Sequence, residues 1–328
     1  MSKPARIPAA AQADAAAPQL ARKVVKQRVQ AAVFYWERVA KRDKPRVEDV
    51  HQLRVWSRRS MAAVELFLPF FAAKPAAELL GMLNKARKRA GKARDCDVLL
   101  AKLDKRTREA LAEHLETLKT GRAESAEKLQ SAYRKKVRSG KVADCLADLQ
   151  KESAAKNHSA KSNGHVPPQA QFGVWFLTQF AASSADFIQQ LRPAKASLRR
   201  IHQLRIDGKH VRYALEIGLP ALPKAAGKQL YASLEALQEQ LGEICDDLAF
   251  AERFRELAAG LKEKQQARLE KEAARHDEQA QAGFEKFSRW WRAANGRKKL
   301  QRQFAAIFAP LADIKPRGSK PAQRRKSQ

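Results

Sequence analysis

Cysteine is nearly absent from this 328-residue chain: there are three, Cys96, Cys145 and Cys245, and no Cys-x-x-Cys pair among them. That scarcity excludes a disulfide framework and a thiolate zinc site, and fits free thiols in a reducing compartment. Glycine and proline are sparse too, 14 of each, and they fall between helical stretches rather than at the short regular spacing of an all-β chain. Aromatic residues make up only 7%. Apolar runs such as Val64 to Ala73, interrupted by Glu65 and Pro69, fall far short of the roughly 18 residues needed to cross a bilayer. The Ala- and Pro-rich segment Met1 to Ala17 carries Asp14 and has no continuous apolar core, so it does not read as a secretory signal. A Gly-rich phosphate loop, an HExxH pair and any Ser/His/Asp or Cys/His grouping of recognisable spacing are also missing. The expectation is a cytoplasmic, non-enzymatic protein without membrane association, metal or cofactor.

What the chain has in excess is positive charge. Sixty-five Lys and Arg stand against 35 Asp and Glu, a net charge of +30. Such an imbalance repels itself on folding and draws polyanions, so a basic surface or cavity is expected. Hydrophobic residues at 44% mark a folding sequence rather than a basic tail. Their spacing is helical throughout, which predicts an all-α fold with helices near 19–42, 47–68, 75–92, 95–120, 122–138, 172–191, 196–219, 224–241, 245–260, 262–282 and 284–309. Residues 1–17 read as a disordered N-terminal segment and 18–313 as the folded domain, with halves at about 18–150 and 172–313. A polar linker over about 153–171 joins them, and 314–328, with Lys315, Arg317, Lys320, Arg324, Arg325 and Lys326, read as a basic disordered tail.

The halves repeat one another. Val50-His51-Gln52-Leu53-Arg54-Val55 recurs as Ile201-His202-Gln203-Leu204-Arg205-Ile206, and the same offset of 151 takes Glu65 to Glu216, Pro69 to Pro220, Gly91 to Gly242 and Asp95 to Asp246. This register predicts two similar helical bundles, related by internal duplication and a pseudo-twofold axis, around a basic central cavity. At about 100° per residue, His51, Arg54, Arg58 and Glu65 line one side of their helix, while Val50, Leu53, Trp56, Val64 and Phe67 line the other. In the second copy His202, Arg205, Lys209, Tyr213 and Glu216 form the stripe with Arg212 at its edge, opposite Ile201, Leu204, Val211 and Leu215. Guanidinium forks, ammonium groups and imidazole N–H donors at i, i+3 and i+7 suit a repeating anion better than one small phosphate. Glu65 and Glu216, at the far end of each stripe, are expected to orient Arg58, Lys209 or cations of neighbouring helices.

Further candidates carry plainer alternatives. Lys85, Lys88 and Lys92, thickened by Arg87, Arg89 and Arg94, make a basic face on the third helix, which a solvated surface explains equally. Asp95 and Asp97, with Asp246 and Asp247, suggest paired metal-binding carboxylates, but each pair follows a Gly expected to close a helix, where Asp is an ordinary cap. His276-Asp277 imitates the dipeptide of metal phosphohydrolases but lacks companion motifs. Trp290-Trp291, expected to open the last helix, suits a core face among Phe284, Phe287, Phe304 and Phe308 better than a base-stacking platform.

In combination, the motifs His51-Gln-Leu-Arg54-Val-Trp-Ser-Arg58-Arg59 and Gly91-Lys-Ala-Arg94-Asp95-Cys-Asp97, with His202-Gln-Leu-Arg205-Ile-Asp-Gly-Lys209-His210-Val-Arg212-Tyr213-Ala-Leu-Glu216 and Gly242-Glu-Ile-Cys-Asp246-Asp247, resemble the CHAD domains (conserved histidine α-helical domains) over about residues 18 to 310. The resemblance implies paired helical bundles around a basic cavity that bind inorganic polyphosphate and associate with polyphosphate granules. It implies a ligand-facing set of His51, Arg54, Arg58, His202, Arg205, Lys209, Arg212 and Tyr213, to which Arg59, Lys88, Lys92 and Arg94 are added as first-half cations. His210 in place of a counterpart to Arg59, and Cys245 in place of one to Arg94, imply weaker binding by the second half. Some members carry a triphosphate-tunnel catalytic domain, for which the roughly 18 residues ahead of the first helix leave no room. Two readings compete with polyphosphate binding: a nucleic-acid or nucleoid protein, which the charge would serve equally, and a polyphosphate-processing phosphohydrolase.

Overall fold

The computed structural model of the chain describes residues 13–103, 105–110, 112–151, 171–191 and 197–312, and every regular element among them is helical. The first half comprises α1 (Ala17–Ala40), α2 (Val47–Leu66), α3 (Ala73–Lys102), α4 (Lys105–Ala110), α5 (Ala112–Tyr133) and α6 (Lys141–Gln150), the second α7 (Phe172–Gln190), α8 (Leu198–Gly218), α9 (Lys224–Ala258), α10 (Glu263–Arg292) and α11 (Arg297–Ala312). Pro18 in the first turn of α1 fixes φ where no N–H is needed. Pro69 and Pro220 sit in short 3-10 turns that end α2 and α8, because neither can continue a helix. The starts of α8, of its 3-10 turn and of α9 each fall 151 residues after those of α2, its turn and α3.

The apolar halves of the two stripe helices are buried as their spacing predicts: Val50, Leu53, Trp56, Val64 and Phe67 from one, Ile201, Leu204, Val211 and Leu215 from the other. They join one core that runs through both halves. Aromatic rings stitch it together. Phe67, just after α2, stacks on Trp175 of α7 at 5.2 Å between ring centroids, and Phe176, Phe180 and Phe304 continue the column. A second, smaller core lies where Leu99, Leu103, Leu115 and Leu118 meet Phe250, Phe254 and Leu269 on the α9–α10 hairpin. The halves therefore share apolar interior at two places, and α2 also packs directly on α8.

Several expected boundaries move. Helix breaks at Gly91–Asp95 and at Gly242–Cys245 do not occur, since α3 and α9 run straight through them. A helical glycine costs about 1 kcal/mol relative to alanine, and the buried series Leu79, Leu83, Ala86, Ala90 and Ala93 on α3, like Leu230, Leu234, Leu237, Leu241 and Ile244 on α9, continues in phase across each glycine and outweighs it. Gly283 likewise lies inside α10, where a Cβ would come 3.0 Å from Ile244, so it is a packing glycine and Trp290 and Trp291 end α10 rather than open α11. Helix α6 was not expected. Its signal is Val142, Cys145 and Leu149, all buried, at a spacing of three and four after Gly140, whose φ of 86° turns the chain out of α5 and its terminal π turn at Arg134–Arg138. Part of the predicted N-terminal disordered segment is placed: Phe172 and Gly173 donate their backbone N–H groups to the carbonyls of Ala15 and Ala13, each at 2.8 Å. The rest of 1–17, the linker apart from Gln171, and the tail 314–328 lie outside the described residues.

Gly218, at the end of α8, has no room for a side chain, because a Cβ there would overlap the buried Phe176 ring. Replacing it with alanine is expected to cost about 1–3 kcal/mol through overpacking. Urea unfolding of G218A checks this, with G81A, where a Cβ meets open space, as the neutral control.

Candidate anion-binding site

The site is built on a buried carboxylate. Glu216 on α8 is 0% exposed and accepts hydrogen bonds from Arg59 Nε at 2.8 Å and Nη2 at 3.0 Å, from Arg28 Nη1 at 3.3 Å and from the Tyr231 hydroxyl at 3.1 Å. Arg212 lies 3.8 Å away. Burial works against ionisation of Glu216, but the Arg59 hydrogen bonds and the charges of Arg59, Arg28 and Arg212 outweigh it and hold the carboxyl below its usual range. Arg59 is pushed the other way: burial would lower it, but its bonds to Glu216 keep it above the ordinary guanidinium value. The Tyr213 ring is buried between the guanidiniums of Arg59 and Arg212, at 5.5 and 5.2 Å. These residues come from α1, α2, α8 and α9, so one anion clamps both halves.

Beside the clamp, the crossing of α2 and α8 gathers Arg54, Arg58, Arg205 and Lys209, all half-buried and each within the field of others. Burial, then the charges of neighbouring cations, lowers Arg58 to about 10 and Lys209 to about 7. Arg54 is lowered by burial, with Asp95 opposing and Arg87 and Arg205 adding to it. Two carboxylates flank the group at its rim. Asp95 lies 3.6 Å from Arg54 and Asp246 3.0 Å from Arg205, with side chains 73% and 62% exposed, and pairs as wet as these contribute about 0–1 kcal/mol. The buried Nε of Arg205 has no hydrogen-bond acceptor among the described residues. His51 borders the group; burial and then the charge of Arg94 depress its imidazole, favouring the neutral form. The arrangement has surplus donors and unshielded positive charge, and it can accept an anion with several oxygens.

The predicted residues do not all arrive there. Arg59 is 3% exposed with two of its donor groups committed to Glu216, and Tyr213 is buried, so both belong to the clamp rather than to a ligand-facing surface. Arg212 divides its fork between Glu216 and Glu235. Burial by the apolar half of α8 explains the shift: Tyr213 and Glu216 lie where the stripe dips beneath α2. Glu216 therefore orients Arg59, Arg28 and Arg212, neighbouring-helix cations in part, and not Lys209. Glu65 is solvent-accessible, and partial burial raises its carboxyl while the charge of His210 opposes the rise. Lys88 and Lys92 are exposed on α3, whereas Arg94 acts on His51 and Arg87 on Arg54 and Arg58. His202 is exposed and lines an open cavity of about 650 Å³ with Ser197, Arg200 and Gln203 at the start of α8, away from the four cations.

Two functional residues escaped the sequence reading. Arg87 was counted only as thickening a face; its position seven residues before Arg94 puts both on the side of α3 toward α2, and Asn84 Oδ1 accepts from its Nη2 at 2.8 Å. Arg28 sits among Val24, Val25 and Val29 on the buried stripe of α1, and a lone cation in such a stripe signals a buried partner elsewhere in the chain. The aspartates expected as caps lie inside continuous helices and take cations instead: Asp97 with Arg122, Asp247 with His276 at 2.8 Å. His276 is 1% exposed between Phe250 and Phe254, in the interior rather than on a polar face. Among the described residues no group of three or more His, Cys, Asp or Glu is placed to hold a metal ion, and no helix is long and apolar enough to cross a membrane.

A family model described as the CHAD domain matches residues 23–255. The crystal structure of the CHAD domain from the plant Ricinus communis superposes with a TM-score of 0.57, covering 90% of this chain and 94% of that one at 20% sequence identity, a likeness of fold. No curated protein is significantly similar in sequence.

Removing the clamp's anion leaves buried guanidiniums uncompensated. Glu216→Gln is expected to cost about 3–5 kcal/mol, against less than about 1 kcal/mol for Glu65→Gln at its exposed position. The folded Glu216 carboxyl lies below its unfolded value, so its contribution is full above the ordinary carboxylate range and is lost as pH falls through the folded value. Urea unfolding at several pH values checks both statements, and the acid limb attributable to Glu216 is absent from E216Q.

Proposed function

The chain belongs to the CHAD domain family, and from that premise we propose that it binds inorganic polyphosphate without turning it over, at the crossing of α2 and α8. The observation that carries this reading is the group Arg54, Arg58, Arg205 and Lys209: half-buried cations from two helices, whose depressed proton affinities mark a site short of negative charge. A phosphate chain supplies evenly spaced oxygens, and displacing the exposed Asp95 and Asp246 costs little. The equal spacing of α2, α3 and their counterparts supports internal duplication. So does a crossed relation: Glu216 pairs with Arg59, while their counterparts Glu65 and His210 lie within each other's field, as a pseudo-twofold at the crossing requires. A basic central cavity is the corresponding reading of the space these helices flank. With Asp95, Asp97, Asp246 and Asp247 each engaged by a cation or histidine, the carboxylates serve electrostatic balance rather than catalysis. Localisation in the cytoplasm at polyphosphate granules follows from the ligand, and the net charge of +30 gives nucleic acid a secondary role.

Replacing Arg54, Arg58, Arg205 and Lys209 together by Glu is expected to abolish retention of long-chain polyphosphate while circular dichroism shows the helices intact; unchanged retention would overturn the assignment. Binding should weaken steeply with salt, as counterion release dictates for linear polyanions. Duplex or single-stranded DNA competing equally, charge for charge, would favour the nucleic-acid reading. Mg²⁺-dependent phosphate release lost in Asp95→Asn would favour an enzyme.

A further inference from the structure

Helices α2 and α8 do not sit in equivalent surroundings. Helix α3 adds Arg87 and Arg94 beside α2, and their charges act on Arg54, Arg58 and His51. At the positions 151 residues later, α9 carries Gln238 and Cys245. Gln238 is buried with its Nε2 unpartnered, and burial raises the Cys245 thiol, keeping it neutral. The second half thus brings only Arg205 and Lys209 to the crossing, and Arg205 is already paired with Asp246 at 3.0 Å. Lys209 occupies the place that Arg58 holds in the first copy. A guanidinium keeps its charge in such a setting, whereas an ammonium does not.

Resting on the polyphosphate reading, we propose that the site engages its polyanion in two unequal halves: a permanently charged one on α2 and α3, and one on α8 that takes up a proton at Lys209 as the anion arrives. Every element packed on this part of α8 contributes to that outcome. From α2, Arg54 and Arg58 repel an ammonium at Lys209; from α8 itself, Arg205 does the same, and Asp207 is turned toward Gln190 and Gln203. From α9, Asp246 attracts it but is shared with Arg205, and Cys245 is uncharged. Helix α7 presents Phe187 and Gln190 beside Gly208 and Asp207. Without ligand, burial and this ring of cations bring Lys209 to about 7. A phosphate chain lying across the group supplies the missing counter-charge, and Nζ accepts a proton from solvent and pairs as an ammonium with a phosphate oxygen.

Calorimetric titration of the full chain with long-chain polyphosphate, in buffers of different ionisation enthalpy at one ionic strength, reads the proton count directly. The wild type should take up about half a proton per molecule near pH 7, rising toward one near pH 8, with affinity falling by up to about tenfold per pH unit above 7. Lys209→Arg should abolish the uptake and flatten the profile. Arg87→Gln should weaken binding on the order of tenfold and leave the proton count unchanged. Tight binding without uptake, or uptake that persists in K209R and disappears in His51→Gln, overturns the inference while the polyphosphate reading stands. Failure of the wild type to bind at any pH refutes the polyphosphate reading itself and this inference with it.

Discussion

A carboxylate taken wholly out of water costs several kcal/mol unless cations meet it, and the position of Glu216 is tolerable only because Arg59, Arg28, Arg212 and Tyr231 converge on it from four helices. That requirement fixes how the halves meet, since the anion belongs to one and two of its guanidiniums to the other. It also sets the electrostatics of the crossing. Three cations around one anion leave a residual positive field, and Arg59, by turning inward, places Arg58, one residue earlier and about 100° away, toward α8. Structural clamp and candidate site are thus consecutive residues of the same helix performing opposite tasks.

The neighbouring cations are accordingly held in an unfavourable state. Arg58 and Lys209 lose proton affinity through burial and mutual repulsion, and only two exposed carboxylates soften it. A protein selected for stability alone has little reason to assemble such a group, because hydrophobic residues of similar size would pack there without repulsion. Local conflict of this kind is where binding sites are commonly found. The apolar cores on either side, and the aromatic column from Phe67 to Phe304, supply the rigidity that keeps the cations from relaxing apart.

Much of this was legible in the sequence. The apolar faces of α2 and α8 followed from spacing alone, and the offset of 151 located both stripes and their carboxylates. What spacing did not reveal is depth. A helical wheel places Arg59, Tyr213 and Glu216 near a polar stripe but says nothing of a second helix lying across it, and that crossing turns them into interior groups. Gly91 and Gly242 misled for a related reason: they are natural stops for an isolated helix, and only the packed neighbours of α3 and α9 carry the helix through. Asp95 and Asp246 then lose their role as caps and become rim partners of arginines. Arg28 was hidden because a single cation in an apolar stripe identifies no partner until the tertiary fold brings Glu216 to it.

The short backbone pairing of Ala13 and Ala15 with Gly173 and Phe172 has a bearing on how such a chain can change. It stitches the entry into α1 to the entry into α7, so the first helices of the two halves start from a common anchor. The covalent path between Lys151 and Gln171 is then not what sets their relative placement. Because closing a longer loop costs only slowly increasing entropy, that stretch can lengthen, shorten or acquire new sequence with little effect on the α2–α8 crossing. The connection is open to drift, while the geometry that gathers the cations stays under constraint.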